Sequence, residues 1–411
     1  MADVSLSQIG ILPCPGGLAF AQKIFGHLET ITREKLEERV AMLSKSYKLP
    51  RAEIIRQVNL SNDILPSSGD LDEPIDRQRS PTYLVPAKFT RFPNGEFKTE
   101  ILTSVRDTEI YIVQDVSNRY PLQFQKTDDP QCLSVNDHLF CLLVTVDAAL
   151  QAGAMQVTVI LPTFPYSRQH KKKGRESLSA ARVGQMLEAF GVTRIITLDI
   201  HSKEIENCFN HVRLENLHGA YQIIKALASV TDLKDEKLVV VAPDTGAVDR
   251  NKFYASILGK PLGMLYKERD YSRVAQSAEK GNITDMKLLG SVEGKTVFMI
   301  DDMIGTGGTL IKAMRKLKEF GAEETFCAVS LPLFSAEAVD TFDAAYAEGL
   351  FSRIIGTNAV YHDESVLNRE WYLSADVTQL FARIIYRLHY NRSLSSLLDD
   401  RSVIKDLLKR S

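Results

Sequence analysis

The sequence predicts an α/β protein made of two tandem, similar domains, each a mainly parallel sheet flanked by helices. A length of 411 residues suits two or three domains. Short apolar runs that are typical of buried strands alternate with helical patterns, and both halves contain the same order of elements. The runs fall at residues 157–161, 195–199, 238–242, 296–300 and 326–331. Ligands of such sheets bind at the carboxyl ends of the strands.

Composition and charge narrow the class of protein. The chain is 44% hydrophobic and 25% charged, with a net charge of −2, so nothing global favours nucleic acid or a membrane as a partner. The five cysteines are scattered without metal-ligand spacing, which favours reduced thiols in a cytosolic protein. We see no signal peptide and no apolar stretch of about 20 residues. The sequence therefore predicts a cytoplasmic protein.

The first half begins with a short strand near residue 10, a Pro-Gly-Gly turn, and a helix from about residue 18. A separate charged, helical pattern covers 32–49, and 62–81 is a Ser-, Asp- and Pro-rich segment that predicts a long surface loop or partial disorder. Regular alternation follows, with a strand at 110–116 and a helix at 137–153. A further helix runs from Ser177, a plausible N-cap, to Phe190.

The second half repeats these elements and contains the most informative stretch, Asp301–Thr309. The strand at 296–300 is followed by Asp301 and Asp302, a glycine-rich turn, and a helix that ends before Gly321. A glycine loop at a helix N-terminus is suited to hold a phosphate. The alternative is an ordinary tight turn in which the two acids are exposed caps.

The stretch Asp-Asp-Met-Ile-Gly-Thr-Gly-Gly-Thr resembles the ribose-5-phosphate loop of the type I phosphoribosyltransferase fold. In particular, it is similar to the form found in ribose-phosphate pyrophosphokinases. The resemblance implies two phosphoribosyltransferase-like domains. It also implies that Asp301 and Asp302 face the ribose hydroxyls, and that the 5-phosphate is bound by Gly305, Thr306, Gly307, Gly308 and Thr309.

Two further motifs match the parts of that family that bind ATP. Arg168 and Gln169 precede the basic run His-Lys-Lys-Lys, and an arginine fork suits phosphate oxygens. Phe92, Asn94 and Glu96 lie in a turn that resembles the family's adenine-binding turn. The alternatives are a solvated basic surface for the first motif and a plain Pro-Asn-Gly hairpin for the second.

The resemblance also assigns the metal and the catalytic cations. His201, in Asp-Ile-His-Ser, and Asp244, in Pro-Asp-Thr-Gly, match the residues that hold the catalytic Mg²⁺ in the family. A histidine after a strand is otherwise a packing or capping residue. Lys267 and Arg269 match two cations of a flexible loop that covers the triphosphate. Without the family match, this alternating charged segment is typical of any exposed loop.

These assignments predict a ribose-phosphate diphosphokinase that uses Mg²⁺, ATP and ribose 5-phosphate. The expected domains are 1–215, with an insertion at about 30–85, then 216–375, and a C-terminal helix and charged tail at 376–411. The family implies a homo-oligomer built from dimers, for which a hexamer is the candidate assembly. Two alternatives stay open. The chain departs from the family pattern at Asn94, Lys171, Glu268 and Gly305, as a non-catalytic regulatory paralogue would. A phosphoribosyltransferase is the second alternative, because it uses the same loop.

Overall fold

The structure is a computed structural model that describes residues 8–57, 83–125, 129–172, 174–269 and 283–410. It divides into two compact units. The first unit combines Met1–Leu217 with Thr378–Leu397, and the second combines His218–Val377 with Leu398–Ser411. Neither unit is one continuous stretch of chain, because the segment after Val377 returns to the first unit and then rejoins the second.

The strands of the described residues are, in chain order, β1 (Gln8–Pro13), β2 (Ala87–Arg91), β3 (Phe97–Ile101), β4 (Thr108–Val113), β5 (Gln156–Ile160), β6 (Arg194–Leu198), β7 (Arg213–Leu217), β8 (Leu238–Ala242), β9 (Leu262–Arg269), β10 (Ile283–Leu289), β11 (Thr296–Ile304), β12 (Glu324–Pro332), β13 (Arg353–Thr357) and β14 (Tyr372–Ala375). They form a five-stranded sheet, a seven-stranded sheet and one separate hairpin.

The helices are α1 (Leu18–Tyr47), α2 (Arg51–Gln57), α3 (Val135–Gln151), α4 (Ser179–Ala189), α5 (Ala220–Leu227), α6 (Val248–Leu258), α7 (Gly308–Glu319), α8 (Ala338–Ala347), α9 (Glu364–Leu367), α10 (Thr378–His389), α11 (Ser395–Leu398) and α12 (Arg401–Arg410). Within the part of the chain that is described, none of these helices has the length and apolar character needed to cross a bilayer.

The sheet of the first unit has the order β1-β4-β5-β6-β7, and every neighbouring pair is parallel. Its inner strands β4, β5 and β6 are largely buried because helices cover the sheet, and α3 starts at a Ser134–Asp137 capping box. The α/β class and the mainly parallel sheet are therefore confirmed. The helix predicted from Ser177 differs at its start, because α4 begins at Ser179 with Leu178 as its N-cap.

Helix α1 is longer than expected. It runs without a break for 30 residues and has Lys48, in the left-handed region, as its C-cap, so the two helical patterns predicted there belong to one helix. Its first half packs on α10, with the rings of Phe20 and Phe381 5.1 Å apart, and farther along Thr32 bonds the Tyr83 hydroxyl. Val40 is buried in the second half of the helix, so both halves pack on the protein and favour one continuous helix. The loop predicted at 62–81 lies outside the described residues.

The second unit has a seven-stranded sheet with the order β10-β9-β8-β11-β12-β13-β14. All pairs are parallel except β10 with β9. Strand β11 is central, and apolar clusters cover both of its faces, one under α7 and α8 and one under α5 and α6. The predicted series of strands ended too early, because β13 and β14 follow the strand at 326–331.

The C-terminal segment contributes to both units. Helix α10 packs against α1 in the first unit, whereas α12 packs on α5 and α6 in the second. Ile404 of α12 is fully buried among the apolar residues there, and the Asp400 carboxylate accepts a bond from the Tyr221 N–H. The residues predicted as a single helix-and-tail segment, 376–411, are thus divided between the two units.

Candidate active site

Strand β11 continues through the acidic pair. Asp301 and Asp302 were predicted to follow the strand, but β11 pairs with β12 as far as Ile304 opposite Pro332. On its other side, β11 pairs with β8 only as far as Phe298. The two acids therefore lie on a part of β11 that has a strand neighbour on one side.

A buried asparagine replaces the absent β8 partner. Asn251 of α6 accepts a bond from the Ile300 N–H at 3.0 Å and donates to the Ile300 carbonyl at 2.7 Å. It also donates to the Ala247 carbonyl at 2.8 Å. Its neighbour Arg250 lies 3.8 Å from the Asp302 carboxylate. Neither residue was predicted from the sequence, because an adjacent Arg and Asn within a helix do not form a recognisable motif.

The glycine loop after β11 rests on the aromatic core. Gly307, the N-cap of α7, has a φ of +77°, and a Cβ there would lie 2.4 Å from Cε2 of buried Phe342. A Cβ at Gly305 or Gly308, in contrast, would meet nothing within 4 Å among the described residues. The loop is thus held on its protein side and open on its other side, which is the arrangement that a bound phosphate needs.

The loop and the first turn of α7 contain hydrogen-bond donors for a ligand. No side chain of the described residues caps α7, whose first N–H groups lack helical partners as in any helix. Thr306 and Thr309 are exposed. The loop itself is braced by the N–H groups of Phe334 and Ser335, which donate to the carbonyls of Ile304 and Gly305. The predicted C′ glycine of this helix, Gly321, has a φ of +83° and is confirmed.

The acidic pair has an unusual electrostatic state. Burial raises the pKa of the Asp301 carboxyl to about 7, and the nearby Asp302 carboxylate adds to the effect, while Arg250 opposes it. Asp302 is itself buried beside Arg250. At neutral pH the Asp301 carboxyl is therefore divided between its two protonation states. A ligand that donates hydrogen bonds favours its ionised form.

This pKa predicts a pH dependence of stability. The folded carboxyl of Asp301 keeps its proton to higher pH than the unfolded one, so the free energy of unfolding falls as pH rises from about 4 to about 7. We expect Asp301→Asn to remove that slope and, at pH 8, to raise the free energy of unfolding by on the order of 3 kcal/mol. Denaturant titrations at several pH values measure both.

The matched control is Asp249→Asn, which makes the same change at an exposed carboxylate of the same unit. It should leave the difference between pH 5 and pH 8 as it is in the wild type. Equal slopes for the wild type and Asp301→Asn would contradict the assignment of the raised pKa to Asp301.

In the first unit, the loops after β5 and β6 meet. The rings of His170 and His201 are 5.3 Å apart, edge to face. Glu204 joins the two loops, since its carboxylate lies 3.1 Å from the Lys171 ammonium and 3.7 Å from His170 Nε2. The bond from Lys171 lowers the pKa of the Glu204 carboxyl. Two motifs that are far apart in sequence therefore share one surface.

Arg168 and Gln169 are exposed in the first of these loops. The loop is a tight turn, in which the Gln169 N–H donates to the Tyr166 carbonyl and Tyr166 has a φ of +59°. The second loop is held by Asn216, whose side chain accepts from the Ile200 N–H at 2.9 Å. Left-handed residues other than glycine are uncommon, and they cluster at active sites and ligand-binding loops.

The residues assigned to adenine lie in the turn of the β2–β3 hairpin. The Phe92 N–H donates to the Glu96 carbonyl, and the Asn94 side chain accepts from the Glu96 N–H at 3.2 Å. The side chains of Phe92, Asn94 and Glu96 are all exposed. This geometry agrees with a plain hairpin, and it also presents an aromatic face to solvent.

The two residues assigned to Mg²⁺ belong to different units. Asp244 caps the short helical turn Thr245–Ala247, and its Oδ1 accepts from the N–H groups of Gly246 and Ala247. Its other oxygen is the one that these caps leave for a ligand. His201 is half-buried against His170. Among the described residues, no group of three or more acidic, histidine or cysteine side chains is arranged around one point.

Lys267 and Arg269 are in a strand and not in a loop. Strand β9 extends to Arg269 because β10, which the sequence analysis missed, pairs with it antiparallel, placing Lys267 opposite Met286. The prediction that these two residues lie in a flexible loop is therefore wrong, because their backbone is part of strand β9. Their side chains lie outside the part of the chain that the structure describes.

Comparisons with known proteins place these features in a family. A family model described as the N-terminal domain of ribose phosphate pyrophosphokinase matches residues 65–191, and one for the phosphoribosyl transferase domain matches 212–364. The ribose-phosphate pyrophosphokinase of Prochlorococcus marinus is 32% identical over 346 residues, which is 82% of this chain and 95% of that protein. Ribose-phosphate pyrophosphokinase A of Dictyostelium discoideum is 31% identical over 75% of this chain and 89% of its own.

A solved structure agrees in fold. The phosphoribosylpyrophosphate synthetase of Mycobacterium smegmatis superimposes with a TM-score of 0.65 over 93% of this chain and 99% of that one, at 23% identity. The fold and the glycine loop define a two-domain α/β protein of the phosphoribosyltransferase class. The chain belongs to the ribose-phosphate pyrophosphokinase family.

Proposed function

We propose that this protein is a ribose-phosphate diphosphokinase. It transfers the pyrophosphoryl group of Mg-ATP to the C1 hydroxyl of ribose 5-phosphate and releases phosphoribosyl pyrophosphate and AMP, which feeds nucleotide synthesis. The observation that carries the proposal is the agreement over 82% of the chain with a relative that bears this name. The glycine loop at Gly307 supports it independently, since its open side is shaped for a phosphate.

Ribose 5-phosphate binds at the end of β11. The N–H groups from Gly305 to Thr309 and the exposed hydroxyls of Thr306 and Thr309 donate to the 5-phosphate. A substituent at Gly308 would lie in this open space, so the backbone there can approach the phosphate closely. Asp301 and Asp302 accept hydrogen bonds from the ribose hydroxyls, and the raised pKa of Asp301 makes that binding sensitive to pH.

ATP binds through residues of the first unit. Arg168 donates to phosphate oxygens and Gln169 bonds the nucleotide. The hairpin turn of a neighbouring subunit supplies Phe92, which stacks on the adenine, and Asn94 and Glu96, which contact its edge. All five side chains are exposed. The surface around Arg168 and Gln169 includes His170 and Lys171, which add donors for a polyanionic ligand.

The donor set fits Mg²⁺ in the way that this ion is usually bound. Mg²⁺ keeps several waters and takes one or two protein groups together with substrate phosphates, and Asp244 has one carboxylate oxygen beyond its capping bonds. The family resemblance also assigns His201, which packs on His170, as a residue that would hold the ion. When bound, the ion neutralises phosphate charge and orients the β-phosphorus for attack.

Catalysis then rests on alignment and charge. Bringing the C1 hydroxyl in line with the β-phosphorus recovers roughly 7–11 kcal/mol of the barrier when the reactants are well oriented. Lys267 and Arg269 neutralise the charge that develops on the triphosphate as the bond to AMP breaks. The reaction needs no covalent enzyme intermediate. The C1 oxygen of ribose 5-phosphate forms a bond to the β-phosphorus as the bond from that phosphorus to the oxygen of AMP breaks.

The decisive assay combines the purified protein with ribose 5-phosphate and Mg-ATP. We expect AMP and phosphoribosyl pyrophosphate in equal amounts, measured by chromatography. Intact ATP binding without turnover would instead identify a regulatory paralogue that assembles with an active synthetase. Release of pyrophosphate only when phosphoribosyl pyrophosphate and a free base are supplied would identify a phosphoribosyltransferase.

Assembly and location follow from the family. We infer a homo-oligomer built from dimers in the cytoplasm, with a hexamer as the candidate assembly. Light scattering of the purified protein measures the assembly, and a monomer that is fully active would contradict it.

A further inference from the structure

We propose that Asn251 is a positioning residue for ribose 5-phosphate, because its amide holds the end of β11 that carries the acidic pair. This inference rests on the proposed function for its ligand. Strand β8 stops pairing at Phe298, two residues before the Asn251 contact. Beyond that point the peptide groups of β11 need another partner on this side.

The Asn251 side chain supplies that partner with both of its polar atoms. It accepts from the Ile300 N–H and donates to the Ile300 carbonyl, so it reproduces the bonds of a neighbouring strand. The second amide proton goes to the Ala247 carbonyl. The residue is fully buried. With three bonds, the amide is fixed in orientation and ties β11 to the first turn of α6.

The tie acts directly before the acidic pair. Asp301 follows Ile300, and Asp302 lies 3.8 Å from Arg250, the residue before Asn251. Helix α6 thus fixes the backbone next to the acidic pair through Asn251, and its Arg250 places a positive charge beside the Asp302 carboxylate. Asp244, which caps the turn leading into α6, bonds the N–H of Ala247, the same residue whose carbonyl Asn251 holds. The turn and the end of β11 are therefore fixed together.

Replacing the amide should loosen the sugar site without altering the ATP site. Asn251→Leu has a similar size but leaves the peptide groups of Ile300 unpaired on that side. Since small misplacements of binding groups are costly, we expect its KM for ribose 5-phosphate to rise roughly ten- to a hundredfold. The KM for ATP should stay within about twofold, because ATP binds mainly through the other unit.

Leu233→Ala is the control. Leu233 lies in the same unit before β8, and truncating it opens a cavity in the core under α5 and α6 while leaving the Asn251 amide in place. It should lower the melting temperature yet leave both KM values unchanged. If the Asn251→Leu variant does not fold, Asn251→Ser provides a smaller polar replacement, and the same selective rise in KM is expected. A wild-type KM for ribose 5-phosphate in a folded Asn251 variant would overturn the proposal.

Hydrogen exchange separates this inference from the proposed function. In the unliganded protein the Ile300 amide should be strongly protected, and the Asn251 variant should lose that protection while the amide of Val329 on β12 keeps it. An inactive wild-type protein would contradict the proposed diphosphokinase function, but the exchange measurement would still test the contact between Asn251 and Ile300. Unchanged protection of Ile300 would end the positioning role whatever the activity.

Discussion

Gly307→Ala is expected to destabilise the protein and to abolish binding of ribose 5-phosphate. The residue has a φ of +77°, and an added methyl would lie 2.4 Å from Cε2 of Phe342. That ring is fully buried and stacks on Trp371 at 5.7 Å, so it cannot move aside. The combined backbone and packing penalties lower the free energy of unfolding by roughly 2–4 kcal/mol. Denaturant unfolding and calorimetric titration with ribose 5-phosphate measure the two effects.

Gly308→Ala is the matched control, since it makes the same chemical change one residue later. Its methyl would meet nothing within 4 Å among the described residues, and alanine suits the first turn of a helix. We expect unchanged stability but weaker binding of ribose 5-phosphate, because the methyl occupies the space assigned to the phosphate. Equal stability of the two variants would contradict the role given to Phe342.

Lys267→Ala is expected to lower kcat far more than the affinity for ATP. A cation that stabilises charge only as the phosphoryl bond breaks contributes mainly to the transition state, so kcat should fall roughly 10²–10³-fold. The KM for ATP should change by no more than about threefold. Steady-state kinetics with saturating ribose 5-phosphate give both values.

Lys287→Ala removes an equal charge from an exposed position of β10, where the register pairs it with Tyr266 of β9. It should leave kcat within about twofold of the wild type, since its charge faces no reacting group in the proposal. An unchanged kcat in Lys267→Ala would refute the catalytic role, and an equal fall in both variants would indicate a general effect of net charge.

The fold was predictable because its strands are buried on both faces and differ sharply from the helices around them. The parallel core strands, the glycine loop and the C′ glycine at Gly321 all appear in the sequence as local patterns. Strand ends were less predictable. Asp301 and Asp302 look like the end of a strand, but β11 continues because β12 keeps pairing to Pro332.

The missed features depend on partners that are distant in sequence. Strand β10 is mixed in polarity and forms as the antiparallel neighbour of β9, which also draws Lys267 into the sheet. The roles of Asn251 and Arg250 depend on their contacts with β11. Ile300, which Asn251 bonds, is 49 positions away in the sequence. Glu204 likewise became visible as a link between two loops only once the fold placed it beside Lys171.

The division of the C-terminal segment has a consequence for synthesis on the ribosome. Helix α10 covers α1 through the contact of Phe381 with Phe20, yet it is made only after the entire sheet of the second unit. The nascent first unit therefore carries an uncovered apolar face while more than a hundred further residues are translated, roughly the length of a domain. The first unit can finish folding only after the sheet of the second unit has been synthesised, so the two units complete their folding together and not one after the other.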